Sequence, residues 1–230
     1  GPGTTATSLD LTGSPLTGSY TQDALATTNR RTYQIIKVPQ YSSATLTGNV
    51  TAPYWDGTSG GVVLIDVSGT LNMGGFTIDV SGRGFRGGGG QVWNGTADNS
   101  RTFVTATNTT INFAGFKGEG IAGTPASVYN QQTNAVVATG TDYTGGGQGI
   151  GAPGNAGGGG DNWNGSRDNG GGGGGANGAN GGFGGYGWSG AGWPAGLSQD
   201  LRGIGGAVFA QNSTSRLVFG GGGGAGANNN

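Results

Sequence analysis

The sequence predicts an all-β fold of β-solenoid or sandwich-like strands, joined to a glycine-rich polyproline-II helix layer, with essentially no α-helix. Three observations predict it. No window sustains an apolar repeat of helical period, and β-branched residues dominate the apolar set. A short strand motif, Ile65-Asp66-Val67-Ser68-Gly69, recurs as Ile78-Asp79-Val80-Ser81-Gly82. Of the 230 residues 58 are glycine, and late in the chain glycine takes every third position. As bulk composition, so much glycine with only 9% charged residues describes a disordered chain. Position is what changes that reading.

Composition divides the chain. Before residue 145 lie 26 of the 27 threonines, and from Gly145 onward lie 35 of the 58 glycines. The expected organisation is a Thr-rich strand module over 1–144 and a glycine-rich layer over 145–230, packed together as one unit.

In the first zone the strand signals come in order. Tyr33-Gln34-Ile35-Ile36-Lys37-Val38 stops at Pro39, Thr45-Leu46-Thr47-Gly48-Asn49-Val50 stops near Pro53, and Val62-Val63-Leu64-Ile65-Asp66-Val67 is the most apolar run. Side chains alternate across a strand, so Val63, Ile65 and Val67 share one face and Asp66 and Ser68 the other. Phe76, Ile78 and Val80 repeat the arrangement, and Thr110-Ile111-Asn112-Phe113-Ala114-Gly115 is a degenerate third copy. Short strands closed by Ser-Gly at a short interval suit units that bury their apolar faces on one another.

In the second zone glycine occupies 172, 175, 178, 181, 184, 187 and 190 without a break, and 151, 154, 157 and 160 keep the same phase. Three residues per turn is the period of polyproline II, which has no internal hydrogen bonds and must pair its backbone with neighbours or water. Collagen needs imino acids that are absent between these glycines, which favours a bundle of glycine helices; a flexible linker is the competing reading. The same phase puts Asn177, Asn180, Phe183, Tyr186 and Ser189 on one edge of such a helix, with Trp188 on another. This candidate stripe, Asn177, Asn180, Phe183, Tyr186 and Trp188, has two readings. Aromatics beside amides suit a sugar ring or flat partner, while large side chains in a glycine bundle also serve to anchor it on the strand zone.

The glycine-rich zone over about 145–226 resembles the polyglycine-II sandwich domains of T-even-type phage tail-fibre tip adhesins and, more distantly, the snow-flea antifreeze proteins. The strand zone, with Arg31 to Tyr41 and the Ile-Asp-Val-Ser-Gly units leading to Gly82-Arg83-Gly84-Phe85-Arg86-Gly87, is similar to modules of large bacterial surface proteins. These resemblances imply a secreted structural or adhesive role and supply no catalytic residues. The long Thr-rich front departs from the first of them.

Chemistry is constrained by what is missing. Histidine and cysteine are absent and Glu119 is the only glutamate, which removes imidazole and thiol catalysis, disulfides and Cys/His zinc sites. No catalytic, cofactor-binding or metal residues are assigned, and no cofactor is expected. Gly82-Arg83-Gly84-Phe85-Arg86-Gly87 matches the dinucleotide pattern, but Gly88-Gly89-Gly90 follows where a helix must start. Asp66 and Asp79 would form a carboxylate ladder only if their strands were neighbours. The segment Asp161 to Gly170 resembles a calcium loop, yet Trp163 stands at a ligand position, so a turn explains it better. Sequons at Asn49, Asn94, Asn108, Asn164 and Asn212 occur at about the frequency that so much Asn, Ser and Thr gives by chance.

Ten basic against eleven acidic residues give no nucleic-acid footprint, and no run is long enough to insert in a membrane. The ends, Gly1-Pro2-Gly3 and a glycine run closing at Asn230, read as those of one segment of a longer polypeptide. The expected role is an extracellular or cell-surface structural module, secreted, that self-associates into a fibre, coat or adhesin stalk, its partners being other copies or neighbouring segments. Alternatives are an adhesin tip binding surface glycan or a receptor, and, from the many threonines, an ice-binding protein. Enzyme function is not expected.

Overall fold

The computed structural model describes residues 22–23, 33–92, 114–143, 146–161, 169–187, 201–208 and 219–228. Among these there is no helix, and strands are few and short. In chain order they are β1 (Gln40–Tyr41), β2 (Ala44–Thr45), β3 (Asp66–Val67), β4 (Leu71–Asn72), β5 (Gln91–Val92), β6 (Ser127–Asn130), β7 (Ala135–Ala138) and β8 (Ala227–Asn228). β1 pairs with β3, β2 with β4 and β5 with β8, all parallel, while β6 and β7 form an antiparallel hairpin.

From residue 39 to 83 the chain runs twice along the same path. Gln40 stands opposite Asp66, Ala44 opposite Leu71 and Val50 opposite Ile78. The offset grows from 26 residues at Gln40 to 28 at Asn49 and Thr77. Backbone bonds continue beyond the paired residues, from Asp66 N to Pro39 O and from Trp55 N to Arg83 O. The inward alternation expected at Val63, Ile65 and Val67 is present, since these are half-buried while Leu64, Asp66 and Ser68 are exposed. Ala44, Leu46, Gly48 and Val50 alternate in the same way with Thr45, Thr47 and Asn49.

The structure departs from the sequence reading: Tyr33 to Val38 forms no strand, and Phe76, Ile78 and Val80, expected to repeat the buried face, are all exposed. The two Ile-Asp-Val-Ser-Gly copies do not stack on each other: they are successive stretches of one pass, and each lies against the previous pass, on β1 and on Val50. The thirteen-residue repeat is therefore about half the spacing between paired stretches. Asp66 and Asp79 consequently form no ladder. The Gln40 side chain donates to Asp66 at 3.2 Å, and Asp79 accepts from Ser81 N at 2.8 Å, closing a turn. Hydrogen bonding from the Ser81 side chain and then its backbone, together with the nearby Arg83 charge, holds the exposed Asp79 carboxyl below its ordinary pKa.

The glycine segments bond by another rule. Along 155–161 successive residues turn to different neighbours: Gly157 and Gly160 donate to Gly222 and Ala225, Gly158 and Asp161 to Ile204 and Leu201, and Gly159 to Gly149. Their carbonyls receive Gly118 at Gly157, Gly173 at Gly158, Gly115 at Gly160 and Gly170 at Asp161. Residues three apart thus address the same neighbouring segment. A side chain would end this arrangement. A Cβ built on Gly157, Gly158, Gly159 or Gly160 would lie 2.0, 2.0, 1.8 or 1.8 Å from a backbone carbonyl oxygen.

These bonds cross the composition boundary near residue 145. Gly88 donates to Gly223, Gly222 to Glu119 and Ala225 to Phe116, so residues 86–90 and 114–120 are bonded to glycine segments from the far end of the chain. Phe219 carries a side chain across the same boundary. Its ring meets Phe85 at 5.2 Å and Trp55 at 5.6 Å between centroids, and Trp55 meets Phe85 at 5.6 Å, all edge-on. Edge-to-face pairs of this kind contribute about 0.5–1.5 kcal/mol each beyond the area they bury.

Candidate functional site

Side chains with chemistry gather in two places. The first is the Gly82-to-Gly87 motif, which sits where the doubled stretch meets the glycine segments. The Arg83 guanidinium lies 3.7 Å above the Tyr54 ring, Phe85 joins Trp55 and Phe219, and Arg86 pairs with Glu119. Extended backbone, not a helix, follows at Gly88. All three side chains of the motif are thus committed to joining segments, so its resemblance to a nucleotide loop has no structural counterpart.

Glu119, with 1% exposure, is held on every side. Arg86 Nε donates to Oε2 at 2.9 Å and Nη2 to Oε1 at 3.0 Å, a two-pronged pair; Arg86 N and Thr124 Oγ1 add bonds at 3.1 and 2.8 Å. Charge-assisted bonds on both carboxylate oxygens offset the desolvation of burying it. Nearby, Lys117 is buried with Nζ donating to Gly151 O. Burial pulls its pKa from 10.5 down to about 8, against the opposing pull of Asp142. The Tyr143 hydroxyl, buried against the Gly118 and Gly123 carbonyls, is pushed well above its ordinary pKa by burial and then by the charges of Glu119 and Asp142. Glu119, Lys117 and Tyr143 are closed to solvent, the carboxylate spent chiefly on side chains and the amine and phenol on backbone carbonyls.

The second place is the outer segment 177–187. Gly181 and Gly184 face inward, where a Cβ would lie 2.0 and 1.9 Å from the carbonyls of Gly174 and Gly171. Gly182 and Gly185 face open space. On the remaining edge Phe183 is 62% and Tyr186 53% exposed, so neither ring is buried as an anchor on the strand zone. The Arg202 guanidinium stands over both, 3.8 Å from the Tyr186 ring centre and 5.1 Å from that of Phe183. Asn180 Oδ1 accepts from Val208 N at 2.7 Å, and the Asn177 side chain lies beside Gly220.

Of the candidate stripe, then, Phe183 and Tyr186 are brought together, with Asn177 and Asn180 turned to neighbouring segments. Trp188 lies outside the described residues, as do the body of the calcium-like segment and four of the five sequons. Asn49, the fifth, is exposed and accepts from Thr77 N and Oγ1 at 3.1 and 3.3 Å. Sequence reasoning missed Arg202, because nothing in the local pattern says that 201–207 runs beside 181–187. Among the described residues no group of three or more acidic side chains could hold a metal ion.

Comparison of the chain with family models, with curated proteins and with solved structures gives no match.

Proposed function

We propose that this chain is an extracellular structural module, a building block of a fibre, surface coat or adhesin stalk, in which a short β-solenoid-like stretch is packed on a layer of polyproline-II glycine helices. One observation carries the reading: segment 155–161 spends its backbone on neighbouring segments at three-residue steps, with no room for a single Cβ at Gly157 to Gly160. A layer held by backbone bonds needs no disulfide, metal or large apolar core, and its outer rows carry donors and acceptors suited to further copies. In this reading the layer draws on residues 86–90 and 114–120 as well as on 145–230. The test is sedimentation velocity over a hundredfold range of concentration, with electron microscopy of the concentrated sample. Concentration-dependent growth into regular assemblies is expected, and a monomer throughout overturns the proposal.

The exposed pair Phe183 and Tyr186 favours a second reading, a recognition surface for glycan or a surface receptor. Replacing both rings by alanine separates the two roles. Loss of cell-surface or glycan-array binding with unchanged folding supports recognition; full retention of binding removes it.

A further inference from the structure

We infer that β7 is a docking edge for the β7 strand of a second copy, in antiparallel register about a two-fold axis at Val137. This rests on the self-association proposed above and names the contact surface.

The bonded layer runs outward in order. Gly224 donates to Gly173, Gly88 to Gly223, Gly89 to Ser127 and Tyr129 to Gly87, and β6 then pairs with β7. Because Ser127 and Tyr129 turn their backbone toward 87–89, Val128 and Asn130 turn theirs toward β7, where they meet Val137 and Ala135. Thr139 N, bonded to Ala126 O, keeps the same alternation. In an antiparallel ladder the intervening residues, Val136 and Ala138, must point N–H and C=O away from the hairpin. Among the described residues no hydrogen bond takes up these groups, and both residues are exposed, Val136 at 49%. The layer therefore stops at β7 with its donors and acceptors unspent.

Three features select a second copy as the occupant. Edge strands are ordinarily guarded by charge, proline or a bulge, whereas Asn134-Ala135-Val136-Val137-Ala138-Thr139 contains none of these. The free edge of β7 is self-complementary in its backbone bonding. With the axis at Val137, Val136 exchanges bonds with the second copy's Ala138 and the reverse, so a donor meets an acceptor at each step. A net charge of −1 sets up little repulsion between copies. The contact of two four-residue edges falls well below the roughly 1,200 Å² of a stable interface, so single contacts are weak and gain strength only in arrays.

The register makes a covalent test available. Val137 would face its counterpart as a non-hydrogen-bonded pair, with Cα atoms about 4.5 Å apart, within disulfide range. The chain has no cysteine of its own. Val137→Cys, oxidised mildly at a concentration where the wild type associates, should yield a disulfide-linked dimer. Hydrogen exchange on assembled wild type should slow the Val136 and Ala138 amides at least tenfold relative to the dilute chain. Val136→Lys with Ala138→Lys should keep the fold and shift association to at least tenfold higher concentration. Assembly unchanged in the double-lysine variant, or no cross-link and no amide protection in assembled protein, overturns the β7 contact while leaving self-association standing. A wild type that never associates overturns both.

Discussion

Between residues 39 and 83 side chains close the turns, whereas between 157 and 160 only backbone fits. In the first region Asp56 caps Thr58 and Ser59 at 2.7 and 2.9 Å, Asn72 caps Gly74 at 2.9 Å, and Gln34 exchanges two 3.0 Å bonds with Gly60. The Asp56 and Asn72 caps are local while Gln34 reaches a residue 26 positions on, and the loss of any of these bonds costs only the few groups it satisfies. In the second region the neighbours of the four glycines come from five other segments, and every hydrogen bond they make is between main chains. The difference teaches where the chain tolerates change. Variation is cheap where side chains do the bonding and severe where their absence is the structural requirement.

The largest effect should come from putting a single methyl group into the layer. Gly160→Ala sets a Cβ 1.8 Å from the Gly170 carbonyl with no flexible group to yield, so a loss of more than about 4 kcal/mol is expected, read by chemical denaturation. If Gly160→Ala is as stable as wild type, the backbone-packed description of 155–161 is wrong.

Next is the junction. Glu119→Ala leaves the largely covered Arg86 guanidinium without its carboxylate and should cost about 3 kcal/mol. Double-mutant measurement with Arg86→Ala should show strong coupling, because both changes remove the same pair.

A pH scan sharpens the comparison, since the buried titrating groups flank the layer. Between about pH 8 and 10.5 the unfolded chain still holds the Lys117 proton that the folded chain has released, so stability rises with pH by up to about 3 kcal/mol. Above pH 10 the unfolded chain loses the Tyr143 proton that the folded chain keeps, and stability falls. A stability maximum near pH 10 is expected from thermal melts, and Lys117→Met should abolish the rising limb.

The smallest effect is the sharpest control. Gly185→Ala adds the same methyl group as Gly160→Ala, but onto an open edge with nothing within 4 Å, and should stay within about 0.5 kcal/mol of wild type. The two glycines are identical in composition and opposite in consequence.

Particular residues show how far the sequence could be read. The inward alternation of Val63, Ile65 and Val67 follows from strand geometry alone, as does the shared edge of Phe183 and Tyr186 once a three-residue step is granted. The partners of these residues do not follow. The thirteen-residue repeat suggested that its copies face each other, while in the structure each copy faces the preceding pass. Glu119 was visible as the sole glutamate, yet nothing placed it under Arg86, thirty-three residues earlier. The hairpin of β6 and β7 was also missed, because Asn130-Gln131-Gln132-Thr133-Asn134 lacks a turn glycine. Asn134 takes the positive φ of 52° itself, and Asn130 caps Gln132 at 2.9 Å.

What the sequence by itself determined is local: the absence of helix among the described residues, the faces of short strands, and the three-residue step of the glycines. These depend on φ/ψ preference and side-chain alternation, which act within a few residues. The tertiary structure alone decided which segments are neighbours, that the Gly82-to-Gly87 motif is a junction, that Arg202 stands over the exposed rings, and that β7 is left at the edge. The physical reason is that a main-chain donor carries no label. Any glycine segment can bond any other, so the choice among them is made by the few side chains, Trp55, Phe85, Arg86, Glu119 and Phe219, that fix how distant parts of the chain meet.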